Sequence, residues 1–137
     1  MIIVDTNVWS ETLRQTPDAR VLAWLRTERE QLHLSTITAH ELRFGVERLP
    51  DGRRKDALTE QIDTLLAGMR SRTLNYDAEA ASAHALIRVS AERVGRGLSG
   101  SDGQILGIAA AQGAAVATRN VSDFEGFGVS VIDPWGR

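Results

Sequence analysis

Four carboxylates in this 137-residue chain stand where a charge needs a partner or a task. Asp5 follows the apolar run Ile2-Ile3-Val4 and precedes two small polar residues, Thr6 and Asn7. Glu41 lies a helical turn past a second apolar run, Leu32 to Ile37. Asp102 belongs to Ser99-Gly100-Ser101-Asp102-Gly103, and Asp123 follows a third run, Ala114 to Thr118. Carboxylates gathered within a few ångströms repel one another, and some must protonate to coexist. A hard divalent cation removes that cost, because Mg²⁺ or Mn²⁺ takes oxygen ligands and keeps several waters. Carboxylate-held Mg²⁺ with open positions binds phosphate and lowers the pKa of a bound water, which is the chemistry of phosphodiester hydrolysis. The chain has no cysteine and its three histidines do not cluster, so a zinc site is disfavoured.

Each acid also has a plainer use. Asp5 is a good N-cap for a helix beginning near Val8. Glu41 completes a capping box with Thr38, three residues before it. Asp102, like Ser99 and Ser101, is an N-cap type, and Asp123 turns the chain before Phe124. Three arginines, Arg14, Arg43 and Arg119, lie near these acids in sequence and could hold phosphates. Arg119 directly follows the Ala114–Thr118 run; an ion pair with Asp123 or Glu125 is the competing reading.

The elements that must position these residues follow from periodicity. Strands are expected at the N-terminus through Val4, at Leu32–Ile37, Thr73–Tyr76, Ala114–Thr118 and Val129–Ile132. Helices are expected at Val8–Arg14, from Pro17 with Thr16 as N-cap, and from Thr38 to about Leu49. Further helices are expected at Arg53–Arg70, from Asp77 as cap to about Val94, and at Gln104–Gln112. Arg119 to Phe124 reads as a loop. Strands alternating with helices imply a parallel sheet covered on both faces, with right-handed crossovers. Residues just after parallel strands share one edge, where ligands bind in open α/β sheets. Asp5, Glu41 and Asp123 meet that condition. Asp102 heads the helix that leads into a strand, so it is expected at the opposite edge unless its loop brings it round.

Composition sets further bounds. Hydrophobic residues are 42% and charged residues 25%, enough for a core in one domain, residues 1–137. The apolar runs are too short to span a membrane, and no basic region precedes an apolar stretch as in a secretory signal. With no cysteine, the chain suits a reducing compartment, and a cytoplasmic location is expected. The net charge of −2 provides no global field for nucleic acid, although 15 of the 16 basic residues are arginine. There is no Gly-rich loop after the first strand, so neither a dinucleotide site nor a P-loop is present. A haloacid-dehalogenase-type phosphatase would want a second Asp where Asn7 stands.

The chain resembles the PIN-domain proteins, specifically the VapC-type ribonuclease toxins of prokaryotic toxin–antitoxin pairs. The matching pieces are Ile3-Val4-Asp5-Thr6-Asn7, Ser35 to Gly45, Asp102-Gly103-Gln104-Ile105 with Ile108-Ala109-Ala110, Ala117 to Phe124, and Pro134-Trp135. The resemblance implies an α/β fold, a PIN-like three-layer sandwich with a mostly parallel central sheet and helices on both faces. It implies an acidic pocket of Asp5, Glu41, Asp102 and Asp123, with Asp5 and Asp102 as metal ligands. Asn7, Thr118 and Asn120 would be polar support. The implied activity is Mg²⁺-dependent endonucleolytic cleavage of structured RNA of the tRNA or rRNA class, with Mn²⁺ as a substitute metal. The implied partners are a second copy of the chain in a homodimer and a small antitoxin whose C-terminal segment covers the pocket. Gly103 and Gly107 stand where such proteins often have Ala, which is expected to loosen the helix by up to about 1 kcal/mol per site. Two other readings stay open: a non-catalytic PIN-fold module that binds RNA or a partner, and a metal-dependent phosphatase of small molecules. Retention of four mutually repelling acids argues against the first.

Overall fold

The computed structural model describes residues 1–136. In chain order the elements are β1 (Ile2–Val4), α1 (Thr6–Glu11), α2 (Ala19–Thr27), β2 (Leu32–Ser35), α3 (Thr36–Glu47), α4 (Arg53–Gly68), β3 (Thr73–Leu74), α5 (Ala78–Arg93), α6 (Gly100–Gln112), β4 (Ala115–Ala117), α7 (Val121–Phe124) and β5 (Val131–Ile132). The strands form one sheet in the order β3-β2-β1-β4-β5, and every pairing is parallel. β1 is therefore central, with Ile2 opposite Leu32 on one side and Ala115 on the other.

Successive residues of β1 face opposite sides, as the strand period of two requires. Ile2 and Val4 enter a core with Val8, Trp9, Val21, Leu42, Val46 and Ile62, from α1 to α4. Ile3 enters the other, with Ala80 and Ile87 of α5, Ile105, Leu106 and Ile108 of α6, and Phe124. The result is the expected three-layer sandwich. Among the described residues, no helix is long and apolar enough to cross a membrane.

Several boundaries differ from expectation, each for a local reason. The cap of α2 is Asp18, whose carboxylate accepts from the Arg20 amide, while the Asp18 N–H donates to Glu11. Thr16 and Pro17 consequently stay outside the helix. α3 starts at Thr36 because Ser35, at the end of β2, already supplies a cap hydroxyl to the Thr38 N–H at 3.1 Å. Thr38 becomes a buried first-turn residue, and the Thr38–Glu41 capping box does not form. The segment before Phe124 is a four-residue helix, α7, where a loop was expected.

Asp102 is the main correction. A helix that delivers the chain to the amino end of a parallel strand does so with its own C-terminus. Its N-terminus therefore lies at the carboxyl end of the sheet. α6 ends at Gly113, whose left-handed φ of +64° turns the chain into β4, so Ser99 and Asp102 sit at the edge where Asp5 emerges. The expectation for the opposite edge had the helix direction reversed.

Gly103 and Gly107 of α6 have a packing reason. A Cβ at Gly107 would come within 2.5 Å of the Ala80 carbonyl oxygen and 2.8 Å of His84 Cβ; one at Gly103 would overlap the His84 ring at Nε2. Close approach of the α5 backbone demands glycine at 107; at 103 the His84 ring would have to move to admit a side chain.

Candidate active site

The carboxyl edge of β1 opens into a cleft of about 480 Å³. Asp5, Glu41 and Asp102 line it, with Arg14 and Arg119 on its rim. Asp5 caps α1, accepting from the Thr6 N–H at 2.7 Å, and its second oxygen accepts from the Thr118 hydroxyl at 2.8 Å. Capping and site chemistry are thus combined in one carboxylate. Thr118 is fully buried, and its oxygen also accepts from the Asn120 N–H at 3.1 Å and the Asn7 amide at 3.4 Å. Asn7 Oδ1 in turn accepts from the Arg119 N–H at 3.2 Å. The first strand and the fourth are stitched together just beneath the cleft.

Glu41 reaches the cleft from α3 and accepts from the Thr6 hydroxyl at 2.7 Å. That hydroxyl lies 3.0 Å from Thr38 Oγ1. Asp102 occupies the first turn of α6, where its N–H donates to the capping Ser99 hydroxyl at 3.1 Å.

The electrostatics are those of crowded, partly dehydrated acids. Burial pushes Asp5 up from 3.8 to about 6, against the Thr118 hydroxyl and Thr6 amide that favour its charged form; the charges of Asp102 and Glu41 add to the rise. Asp102 is also raised, chiefly by burial and then by the charges of Asp123 and Glu41, with a hydrogen bond from Ser99 opposing. The donor set is all oxygen and suits a hard cation. Among the described residues no three acids are close enough together to hold one ion jointly. Asp5 and Asp102 with retained waters match the habit of Mg²⁺, which takes one or two carboxylates and stays largely hydrated.

A PIN-domain family model matches residues 2–126. The chain belongs to the PIN-domain family. Its relatives in that family include the VapC ribonuclease Y4jK of Sinorhizobium fredii, 39% identical over 98% of both chains. Toxin FitB of Neisseria gonorrhoeae is 39% identical over 98% of this chain and 99% of its own length. A crystal structure of FitAcB from Neisseria gonorrhoeae superposes with a TM-score of 0.92 at 39% identity, covering 98% of this chain and 99% of the other. The resemblance to VapC-type toxins read from the motifs is thereby shown.

In this PIN domain the cleft gathers Asp5, Asn7, Arg14, Glu41, Asp102, Arg119 and Asn120, with Thr118 directly beneath. Asp123 does not line it. It lines an adjoining hollow with Arg119, Asn120 and Asp133, close enough for its charge to act on Asp102. Arg96 holds that segment, donating to the Ser122 and Glu125 carbonyls at 2.9 and 2.8 Å while its guanidinium lies 4.2 Å from the Phe127 ring centroid. Arg119 stands between the two hollows, its guanidinium 5.0 Å from the Trp135 ring centroid. Arg43 turns away to pair with Asp63 on α4.

Three further lining residues were not singled out from the sequence: Thr6, Ser10 and Glu11. Glu11 is only 4% exposed and bonds both the Asp18 N–H, at 2.9 Å, and Arg14, at 3.3 Å. Its spacing of three from Arg14 was the available signal.

Proposed function

We propose that this protein is a Mg²⁺-dependent endoribonuclease, the toxin of a toxin–antitoxin pair, cutting structured RNA of the tRNA or rRNA class in the cytoplasm. The observation that carries the reading is Asp5, a 5% exposed carboxylate pushed up to about 6 in a cleft shared with Glu41 and Asp102. Such an arrangement costs stability unless positive charge completes it. The names of its VapC and FitB relatives favour the same activity. We further propose a homodimer and a small antitoxin partner, with residues 1–137 acting as one domain. That its relative FitB is named a toxin favours a neutralising partner.

Asp5 and Asp102 would hold the metal, Mg²⁺ or in its place Mn²⁺. Bound there, the metal would supply positive charge to the acids and Lewis acidity for phosphodiester hydrolysis. Thr6 N–H and the Thr118 hydroxyl keep Asp5 in one orientation. Thr6 also fixes Glu41, leaving that carboxylate to accept the proton of the attacking water. Arg14 and Arg119 flank the acids and would grip phosphates on either side of the scissile bond. Base selection would come from unpaired nucleotides splayed out of a folded RNA.

The test incubates the purified protein with folded tRNA and, separately, with p-nitrophenyl phosphate, each with Mg²⁺ or EDTA. RNA cleavage that needs Mg²⁺ and disappears in Asp5→Asn is the expected result. Binding without cleavage returns the non-catalytic module, and ester hydrolysis without RNA cleavage returns the phosphatase.

A further inference from the structure

The two acids proposed to share the cation are anchored differently. Asp5 is fixed to the sheet by Thr118, the residue directly after β4. Asp102 rides on the first turn of α6, where its N–H bonds to Ser99 within the same turn. The separation of the two carboxylates therefore depends on how α6 is seated, and α6 is seated on α5. Beside Gly103, the residue after Asp102, the His84 ring fills the space where a side chain would begin. The ring is held from its other side: the Tyr76 hydroxyl and His84 Nδ1 share a hydrogen bond of 2.8 Å, and the two rings meet edge-on at 74°. Burial lowers the His84 pKa, with Arg88 adding to the effect, so the ring rests against the α6 backbone uncharged at neutral pH.

We propose that His84, braced by Tyr76, is a positioning residue that sets the distance of Asp102 from Asp5 by acting as a spacer against Gly103. In this role it acts through the α6 turn rather than on either acid directly. The proposal rests on the reading of Asp5 and Asp102 as the cation-holding pair. It explains why this PIN domain has glycine at 103: the ring occupies the room that a methyl would need. A spacer of this kind belongs to the outer shell of a metal site, where substitution typically weakens metal binding by about ten- to a hundredfold.

The experiment measures Mn²⁺ affinity by calorimetry for the wild type, Asp102→Asn, His84→Ala, Gly103→Ala and the double variant, with melting temperatures recorded in EDTA. His84→Ala is expected to weaken Mn²⁺ binding about tenfold, and Gly103→Ala at least as much, since its methyl overlaps the ring. In the double variant the new methyl takes over part of the vacated space, so affinity recovers to between the wild type and His84→Ala. If Gly103→Ala fails to fold, the comparison of His84→Ala with the double variant decides alone. Unchanged Mn²⁺ affinity with lowered melting temperatures would make His84 ordinary packing and overturn the proposal. A double variant that binds no better than His84→Ala would overturn it as well. Failure of the underlying reading looks different: the wild type would bind no Mn²⁺, or Asp102→Asn would bind it as well as the wild type.

Discussion

Replacing Asp5 by Asn should stabilise the metal-free protein, and the gain should depend on pH. The folded chain holds the Asp5 proton more tightly than the unfolded chain does, with its pKa moved from 3.8 to about 6. Stability from this group is complete below the unfolded value and is lost as pH rises through the folded one. At 1.36 kcal/mol per pH unit the whole loss is about 3 kcal/mol. Of that, about 1.4 kcal/mol falls between roughly pH 5 and pH 7.5. Asn carries no charge and still caps α1 by accepting from Thr6, but it offers one oxygen where Asp5 uses two. Loss of the Thr118 bond costs about 1 kcal/mol. The Asp5→Asn variant should thus exceed the wild type by about 2 kcal/mol near pH 7.5, shrinking to roughly 0.5 kcal/mol near pH 5. Urea unfolding in EDTA, followed by fluorescence of the three tryptophans, measures both proteins at both pH values. Taking their difference cancels the titration of other groups. A pH-independent difference, or an Asn variant less stable than wild type near pH 7.5, would refute the account of a dehydrated, crowded carboxylate. Mg²⁺ should reverse the order by stabilising only the wild type.

Glu41→Gln should keep stability within about 0.5 kcal/mol, because its cap role is absent and Thr6 can still donate to it, while RNA cleavage falls by about a hundredfold or more. Full cleavage by a stable Gln variant would remove Glu41 from the chemistry. Thr118→Val should cost about 1–3 kcal/mol by stranding Asn7, Asn120 and Asp5, and should move the Asp5 titration above 6, read from stability against pH in EDTA. Arg119→Ala on an Asp5→Asn background should weaken RNA binding and flatten its salt dependence by about 0.7. Arg43→Ala should leave that slope alone and cost no more than about 0.5 kcal/mol through its exposed pair with Asp63. An effect at Arg43 equal to that at Arg119 would mean that the RNA path crosses α3.

The sheet was legible because Ile2-Ile3-Val4 has no polar face to give to water, which suits a strand covered on both sides. Asp5 and Glu41 were legible as acids following such strands, and Asp102 through the family resemblance, but not the reason each is held; Asp123, read in the same way as the first two, lines the adjoining hollow instead. Thr38–Glu41 matches a capping box, yet Ser35 is an equally good cap one turn earlier and sits at the strand end where the helix must begin. Local pattern cannot rank two caps that tertiary position separates. The edge occupied by Asp102 followed from helix direction alone and was misread, although topology contained it. Gly103 and Gly107 could not be understood from α6, because what fills the space beside them comes from His84 and Ala80 on another helix. The four residues of α7 carry too little periodicity to be seen and are held by Arg96, 26 residues from Ser122. Arg43 and Arg119 are both near an acid in sequence; only their neighbours, Asp63 and Trp135, tell them apart.

The central place of β1 bears on when this nuclease fold can become dangerous during its own synthesis. The hydroxyl that orients Asp5 lies 113 residues later in the chain and leaves the ribosome correspondingly later. Until β4 has emerged, β1 has β2 on one side and an open edge on the other. Asp102 has no strand beyond it to hold its helix end against the sheet. A growing chain thus carries Asp5, Glu41 and Asp102 before it can arrange them. The cleft is complete only once the long-range closure of β1 on β4 has taken place. A partner that binds the nascent protein can reach it before that closure.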